Sequence, residues 1–243
     1  MPSDPNLSLA TYLASPEALR EPSLEIRDQA YKHLFRSRRL AIGDSLRLVD
    51  GEGTARLGVV QEIDRKHARV DVGDELPSLE PDHRLHLKVG ALRPERADWL
   101  VEKTTELGVF SITFITTERT PRHYGKGRLD RLQRVAAAAV EQCGRSRLPR
   151  LQGVVSWQDA LQEPTGGNSF VLDPSGPSAP TTLRRDQPAE ETTLWIGPEG
   201  GFSDDEIHRL THDLQAEPLG LSCPVLRVET AAVAATALFL LAR

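Results

Sequence analysis

Residues 195–206 read WIGPEGGFSDDE. The apolar run Leu194 to Ile196 stops at Gly197, and Gly200 and Gly201 follow a proline and a glutamate. Ser203, with Glu206 three positions on, has the form of a capping box, so a helix starts just after Phe202. Strand, glycine loop and helix start in this order make up the repeating piece of a mostly parallel α/β sheet. A helix start ordinarily attracts an anion. Here Asp204, Asp205 and Glu206 fill the first turn and offset its dipole, and Glu199 adds a further negative charge. The loop holds no Lys or Arg, and neither G-x-x-x-x-G-K-[ST] nor G-x-G-x-x-G is present.

The loop therefore reads as a place where backbone closely approaches a ligand that has no phosphate. A ligand with an adenine and a cationic centre fits, and S-adenosylmethionine has both. The plain alternative is a tight turn with no ligand.

Outward from this loop the chain alternates helix and strand. Arg93 to Leu107 has a helical apolar spacing, with Pro94 where the helix begins and Gly108 where it ends. A β-rich run spans Val109 to Thr117. Gly127 to Cys143 is helical by the stripe Leu129, Leu132, Ala136, Val140 and Cys143. Short strands are expected at 154–155, 169–172 and 192–196. Together these predict a sheet covered on both faces. Upstream of residue 80 the pattern is different: 45–49, 55–63 and 68–72 alternate like strands, with Asp-Gly turn chemistry at 50–53. Residues 73–84 read as a polar linker. The expected domains are 1–78 and 79–243. The last stretch, Thr230 to Ala242, carries no charge, and a helix apolar all round must be buried, within the domain or between two subunits.

The net charge is −5, which argues mildly against a nucleic-acid partner, but the charges are unevenly placed. Arg119 to Arg150 contains nine Lys and Arg against two acids, whereas Asp159 to Glu217 is strongly acidic. Such asymmetry fits an electrostatic footprint for RNA or DNA; a solvated helix face is the bland alternative. Two cysteines are too few for a disulfide framework or a zinc site. The seven histidines form no ligand cluster, so no metal is expected. No apolar run approaches the roughly 20 residues that span a bilayer, and the first residues lack the basic and apolar parts of a secretory signal. A cytoplasmic protein is expected.

Four stretches occur in order: EKTTELGV at 102–109, EQCGRSRLP at 141–149, IGPEGGF at 196–202 and VLRVETA at 225–231. Upstream lie Lys32-His33-Leu34, Arg39, Gly43-Asp44 and Asp50-Gly51. Over residues 30–243 the chain resembles the bacterial 16S rRNA methyltransferases that modify N3 of the uridine at position 1498. The resemblance implies a PUA-like β-barrel followed by a SPOUT domain, an α/β sheet whose C-terminal part forms a trefoil knot. It also implies a homodimer with the knot region at the interface, 16S rRNA of the small ribosomal subunit as partner, and S-adenosylmethionine as cofactor.

Three loops would hold the cofactor: one after Leu172, one starting at Ile196 and Gly197 with Glu199 and Gly200, and one from Leu219 to Thr230 with Leu221, Ser222 and Leu226. The chain departs from the family at Ser222, where a glycine is usual, and at Pro224, where an arginine is usual. It also lacks the family's N-terminal arginine followed by aromatics. Arg36, Arg38 and Arg39 are the candidates to replace that RNA contact, beside Arg119 and Arg147 of the basic segment.

Uracil N3–H is an imide proton between two carbonyls. Methylating N3 requires alignment of donor and acceptor, help in removing the proton and donors for the carbonyl oxygens. Glu141 and Glu229 are the candidate bases, and Arg145, Arg147 and Arg227 the candidate phosphate or carbonyl contacts. Glu141 shares a helix face with Arg134 and Arg145 by spacing, so a surface ion pair is its plain alternative. Glu229 could instead orient a loop through backbone N–H groups. Cys143 lies on the apolar stripe and reads as core. Two other functions remain open: ribose 2′-O methylation, against which EQCGR argues, and a non-catalytic RNA-binding adaptor.

Overall fold

A computed structural model of the chain describes residues 9–120, 128–163, 167–178, 190–221 and 224–241. The chain divides into two compact units, Met1–Glu80 with Ala137–Leu148, and Pro81–Ala136 with Pro149–Arg243.

The first unit is built on a five-stranded sheet, with β1 (Ala10–Leu13), β2 (Ser23–Arg27), β3 (Ser45–Val49), β4 (Ala55–Ile63) and β5 (His67–Glu75) in the order β1-β3-β4-β5-β2. All neighbours are antiparallel except β1 and β3. The 50–53 turn forms as its chemistry predicts: Asp50 Oδ1 accepts the N–H groups of Glu52, Gly53 and Thr54 at 2.8, 3.0 and 2.9 Å. Alternate residues of the strands, Leu46, Leu48, Val60, Ala68 and Val70, are buried against Ile26, Tyr31, Leu34 and Phe35. Tyr31 opens the way from helix α1 (Asp28–Tyr31) into a wider helical turn, Lys32–Ser37. The sequence reading contains neither β1, β2 nor α1.

The second unit is a six-stranded sheet in which every neighbouring pair is parallel. Its strands are β6 (Arg84–Gly90), β7 (Ser111–Thr116), β8 (Arg150–Ser156), β9 (Asn168–Leu172), β10 (Glu191–Ile196) and β11 (Glu217–Leu219), in the order β11-β9-β10-β6-β7-β8. Helix α2 (Pro94–Glu106) starts on Pro94 and helix α3 spans Arg128–Cys143. Gly144, at φ +82°, ends α3. Arg134 and Glu141 stay on α3, but Arg145 lies beyond the helix and leaves the expected shared face, because the left-handed glycine redirects the chain. One sheet face packs on α4 (Trp157–Gln162) and on α5 (Asp204–His208) with its continuation Arg209–Asp213; Ile115, Val171 and Trp195 meet Trp157, Phe202 and Leu210 there. The other face carries α6 (Val228–Leu241), which packs on α2, β6 and β10 and sets Phe239 against Phe170 at 5.5 Å. The α/β sheet with helices on both faces and the small N-terminal β unit are thus as expected.

Strand β6 lies at the middle of the sheet, yet residues 73–84 read as linker and no strand was expected after them. Arg84, His86 and Lys88 alternate with Leu85, Leu87 and Val89. Lys88 is buried, its Nζ donating to Ala160 O at 2.6 Å and lying 3.2 Å from Glu163 Oε2, above the Trp195 ring. A charged residue on a central strand is uncommon, and its partners come from β10 and α4, far along the chain.

Candidate functional site

Parallel strands deliver all their carboxyl ends to one edge of the sheet, and ligands of such sheets bind there. Strands β9, β10 and β11 end at Leu172, Ile196 and Leu219, and the loops that follow them surround a cleft of about 690 Å³. The loops after β9 and β11 touch: a Cβ on Gly220 would lie 2.5 Å from Gly176 O. Only glycine lets backbones approach so closely. The third loop is the opening motif. Its capping box is complete, with Glu206 Oε2 accepting from Ser203 N at 2.9 Å and Ser203 Oγ accepting from Glu206 N at 3.4 Å. Glu206 Oε1 also accepts from Glu118 N at 2.8 Å, tying the loop to the end of β7.

Of the residues expected to hold a cofactor, Leu172, Ile196, Gly197, Glu199, Leu221 and Leu226 line this cleft, with Pro224 and Arg227. Gly200 and Thr230 do not line it: a Cβ on Gly200 would meet the Arg119 side chain at 3.2 Å, and Thr230 is exposed on α6. Ser222 lies outside the described residues. The lining combines apolar side chains with Asp173, Glu199 and Asp204 and with the cations Arg96 and Arg227. A flat aromatic base and a cationic centre suit such a wall. A second cleft of about 730 Å³, at the ends of β7 and β8, contains none of the expected cofactor residues.

Arg96 was missed by sequence reasoning. Its Nη1 donates to Glu199 Oε1 at 2.5 Å and its Nε stands 3.6 Å from Glu229 Oε1. A signal was present: Arg96 sits in the first turn of α2, where a cation faces the positive end of the helix and needs carboxylates to offset it.

Arg227 is exposed and lines the cleft, whereas Glu229 is buried and is not part of the lining. Glu141 and Arg145 belong to the first unit. Glu141 Oε1 accepts from Leu13 N at 3.2 Å, and burial, with the Glu141 charge adding to it, pushes the Tyr12 hydroxyl up. Arg145 is buried, its Nη2 2.6 Å from Glu80 Oε2. Glu80 Oε1 also accepts the N–H groups of Ser146 and Arg147, at 2.9 and 3.0 Å. Arg119 Nη1 donates to Gly200 O and Phe202 O at 3.1 and 3.2 Å, so it braces the glycine loop. Arg36 and Arg39 are exposed, with Arg36 Nη2 donating to Arg65 O at 3.4 Å. Among the described residues, no group of His, Cys, Asp and Glu could hold a metal ion, and no helix is long and apolar enough to cross a membrane.

A parallel sheet with a carboxylate-bearing glycine loop at its carboxyl edge, together with a small β unit, defines an α/β protein of two units with a cleft at the ends of its strands. The chain belongs to the RNA methyltransferase family: the RNA methyltransferase domain matches residues 79–240, and the RNA methyltransferase PUA domain matches 26–73. It is 29% identical to the ribosomal RNA small subunit methyltransferase E of Helicobacter pylori over 191 residues, 77% of this chain and 81% of that protein. It is 30% identical to the protein of the same name from Mycobacterium tuberculosis over 215 residues, 84% of this chain and 80% of that one. A methyltransferase from Legionella pneumophila, solved with bound S-adenosylmethionine, superposes with a TM-score of 0.80 at 29% identity, over 95% of this chain and 96% of that one. A ribosomal RNA small subunit methyltransferase E from Neisseria gonorrhoeae shares the fold, with a TM-score of 0.83 at 22% identity over 94% and 95%.

Proposed function

We propose that the chain is an S-adenosylmethionine-dependent methyltransferase of small-subunit ribosomal RNA, and that its target is N3 of the uridine corresponding to position 1498. The observation that carries this is the cleft at the ends of β9, β10 and β11, lined by six of the nine residues expected to hold the cofactor. The names of the relatives support the RNA substrate, and the Legionella protein supports the cofactor.

When bound, the cofactor supplies an electrophilic methyl group on a sulfonium. Leu172, Ile196, Leu221 and Leu226 would offer apolar surface to its adenine, and Gly197, with no side chain, would leave backbone open to it. Arg227, exposed at the cleft, donates to a uracil carbonyl oxygen as charge develops there. Glu229, tied to the cleft through Arg96, takes the role of base, with Glu141 as its rival in the N-terminal unit. Arg145 and Arg147, anchored on Glu80, shape the N-terminal unit, which presents Lys32, Arg36, Arg38 and Arg39 to RNA phosphates. The reading includes the division at residues 78 and 79, a C-terminal trefoil knot, a homodimer and a cytoplasmic location.

Mass mapping of modified nucleosides in small-subunit rRNA from a deletion strain tests the target. Loss of 3-methyluridine at that position is expected. Its retention, or loss of a ribose methyl instead, would replace the uracil reading. Titration calorimetry with S-adenosylmethionine tests the enzyme against an adaptor, which would bind RNA alone.

A further inference from the structure

Arg96 joins two parts of the cleft that are distant in sequence, the glycine loop through Glu199 and the start of α6 through Glu229. Side-chain exposure falls from 37% at Glu199 to 26% at Arg96 and 10% at Glu229. Glu229 Oε2 is buried without a hydrogen-bond partner. Two carboxylates around one guanidinium leave a net negative charge. Among the other charged residues that line the cleft, Asp173 and Asp204 add to it and Arg227 offsets one of them, so the surroundings stay net negative.

We propose that the Glu199–Arg96–Glu229 cluster is the charge selector of the cleft, favouring the sulfonium cofactor over the neutral thioether left after transfer. The proposal rests on the S-adenosylmethionine reading above. Methyl transfer breaks the S–CH3 bond with its electron pair staying on sulfur and forms the new bond to the acceptor nitrogen. The acceptor's proton passes to a base and then to water. The cofactor keeps its adenosine and amino-acid parts and loses one positive charge. Contacts to adenosine cannot separate the two forms, whereas a net negative charge in a half-buried wall can, since Coulomb interactions there are stronger than in bulk water. Arg96 acts as a positioning residue. It holds two carboxylates together that would otherwise repel, and it leaves the cluster with one negative charge rather than two.

The test is calorimetric titration of the full chain with S-adenosylmethionine and with S-adenosylhomocysteine, for wild type, Glu199→Gln and Arg96→Met. Wild type should prefer the cation. Glu199→Gln, at a part-exposed position where folding is not at risk, should shrink the ratio of the two dissociation constants about three- to tenfold. Arg96→Met should widen the ratio while weakening both ligands. Raising the salt concentration should weaken the cationic ligand more than the neutral one. An unchanged ratio in Glu199→Gln, with both ligands still bound, overturns the selector and leaves the cofactor reading standing. Failure of wild type to bind either ligand overturns the cofactor reading, and the selector with it.

Discussion

A Cβ on Gly90, the last residue of β6, would lie 2.4 Å from Pro198 N and 2.8 Å from Pro198 Cα. Both contacts are to backbone or ring atoms that cannot swing aside. Gly90→Ala should therefore push the glycine loop away from the sheet. It should cost roughly 1–3 kcal/mol of stability and lower cofactor affinity at least tenfold, read by thermal melting and calorimetry. Unchanged affinity would mean that the loop does not form the binding wall. His86 on the same strand offers a pH test. Burial pushes its pKa below the ordinary 6.5, with Glu191 opposing, while Nδ1 and Ser111 Oγ share a 2.8 Å hydrogen bond. The unfolded chain then takes up the proton first as pH falls. Stability is full above about 6.5 and declines below it, toward the lower folded pKa. His86→Asn should flatten this acid-side decline in urea melts between pH 8 and 5.5; parallel slopes for both proteins would refute it.

Strand β10, its glycine loop and α5 form one element pair held largely by Glu206. This buried carboxylate receives N–H groups from Ser203 and Glu118. Glu206→Ala strands both donors and should destabilise the protein by about 2–4 kcal/mol. Cofactor affinity should drop with it, whereas Ser203→Ala should cost only about 1 kcal/mol. Equal losses for the two variants, by chemical denaturation, would show that the Glu118 bond contributes nothing. The capping box was legible because its parts stand three residues apart and act locally. The bond from Glu206 to Glu118 was not, since it spans 88 residues. Strand β6 was passed over for the same reason: Lys88 is stabilised by Ala160 and Glu163, partners that no window of sequence around it contains.

At the scale of the molecule, α6 carries no charge after Glu229 but is buried on one side only. Val228, Ala232, Ala235 and Phe239 face the unit, while Ala234 is exposed, Leu241 is 65% exposed and Leu238 is half-buried. A second copy of the chain would cover that stripe, as the proposed homodimer requires. Leu238→Asp should give a folded monomer in light scattering at micromolar concentration, where wild type runs as a dimer. A monomeric wild type would end the dimer reading.

By itself the sequence determined the order of strand, loop and helix around residues 195–206, the Asp-Gly turn of the N-terminal unit and the start of α2. Each depends on neighbours a few residues away, through caps, dipoles and glycine backbone freedom. Four short motifs also carried the resemblance to the family. The cleft was decided only by the tertiary structure. Parallel pairing gathers the ends of β9, β10 and β11 at one edge, and this pairing is non-local by nature. The same pairing brings Arg96 to Glu199, 103 residues away. Glu141 and Arg145, which the sequence groups with the candidate catalytic residues, fall in the unit that contains Glu80. A charged side chain's role is set by which carboxylate or carbonyl stands within reach, and that reach is a property of the folded chain.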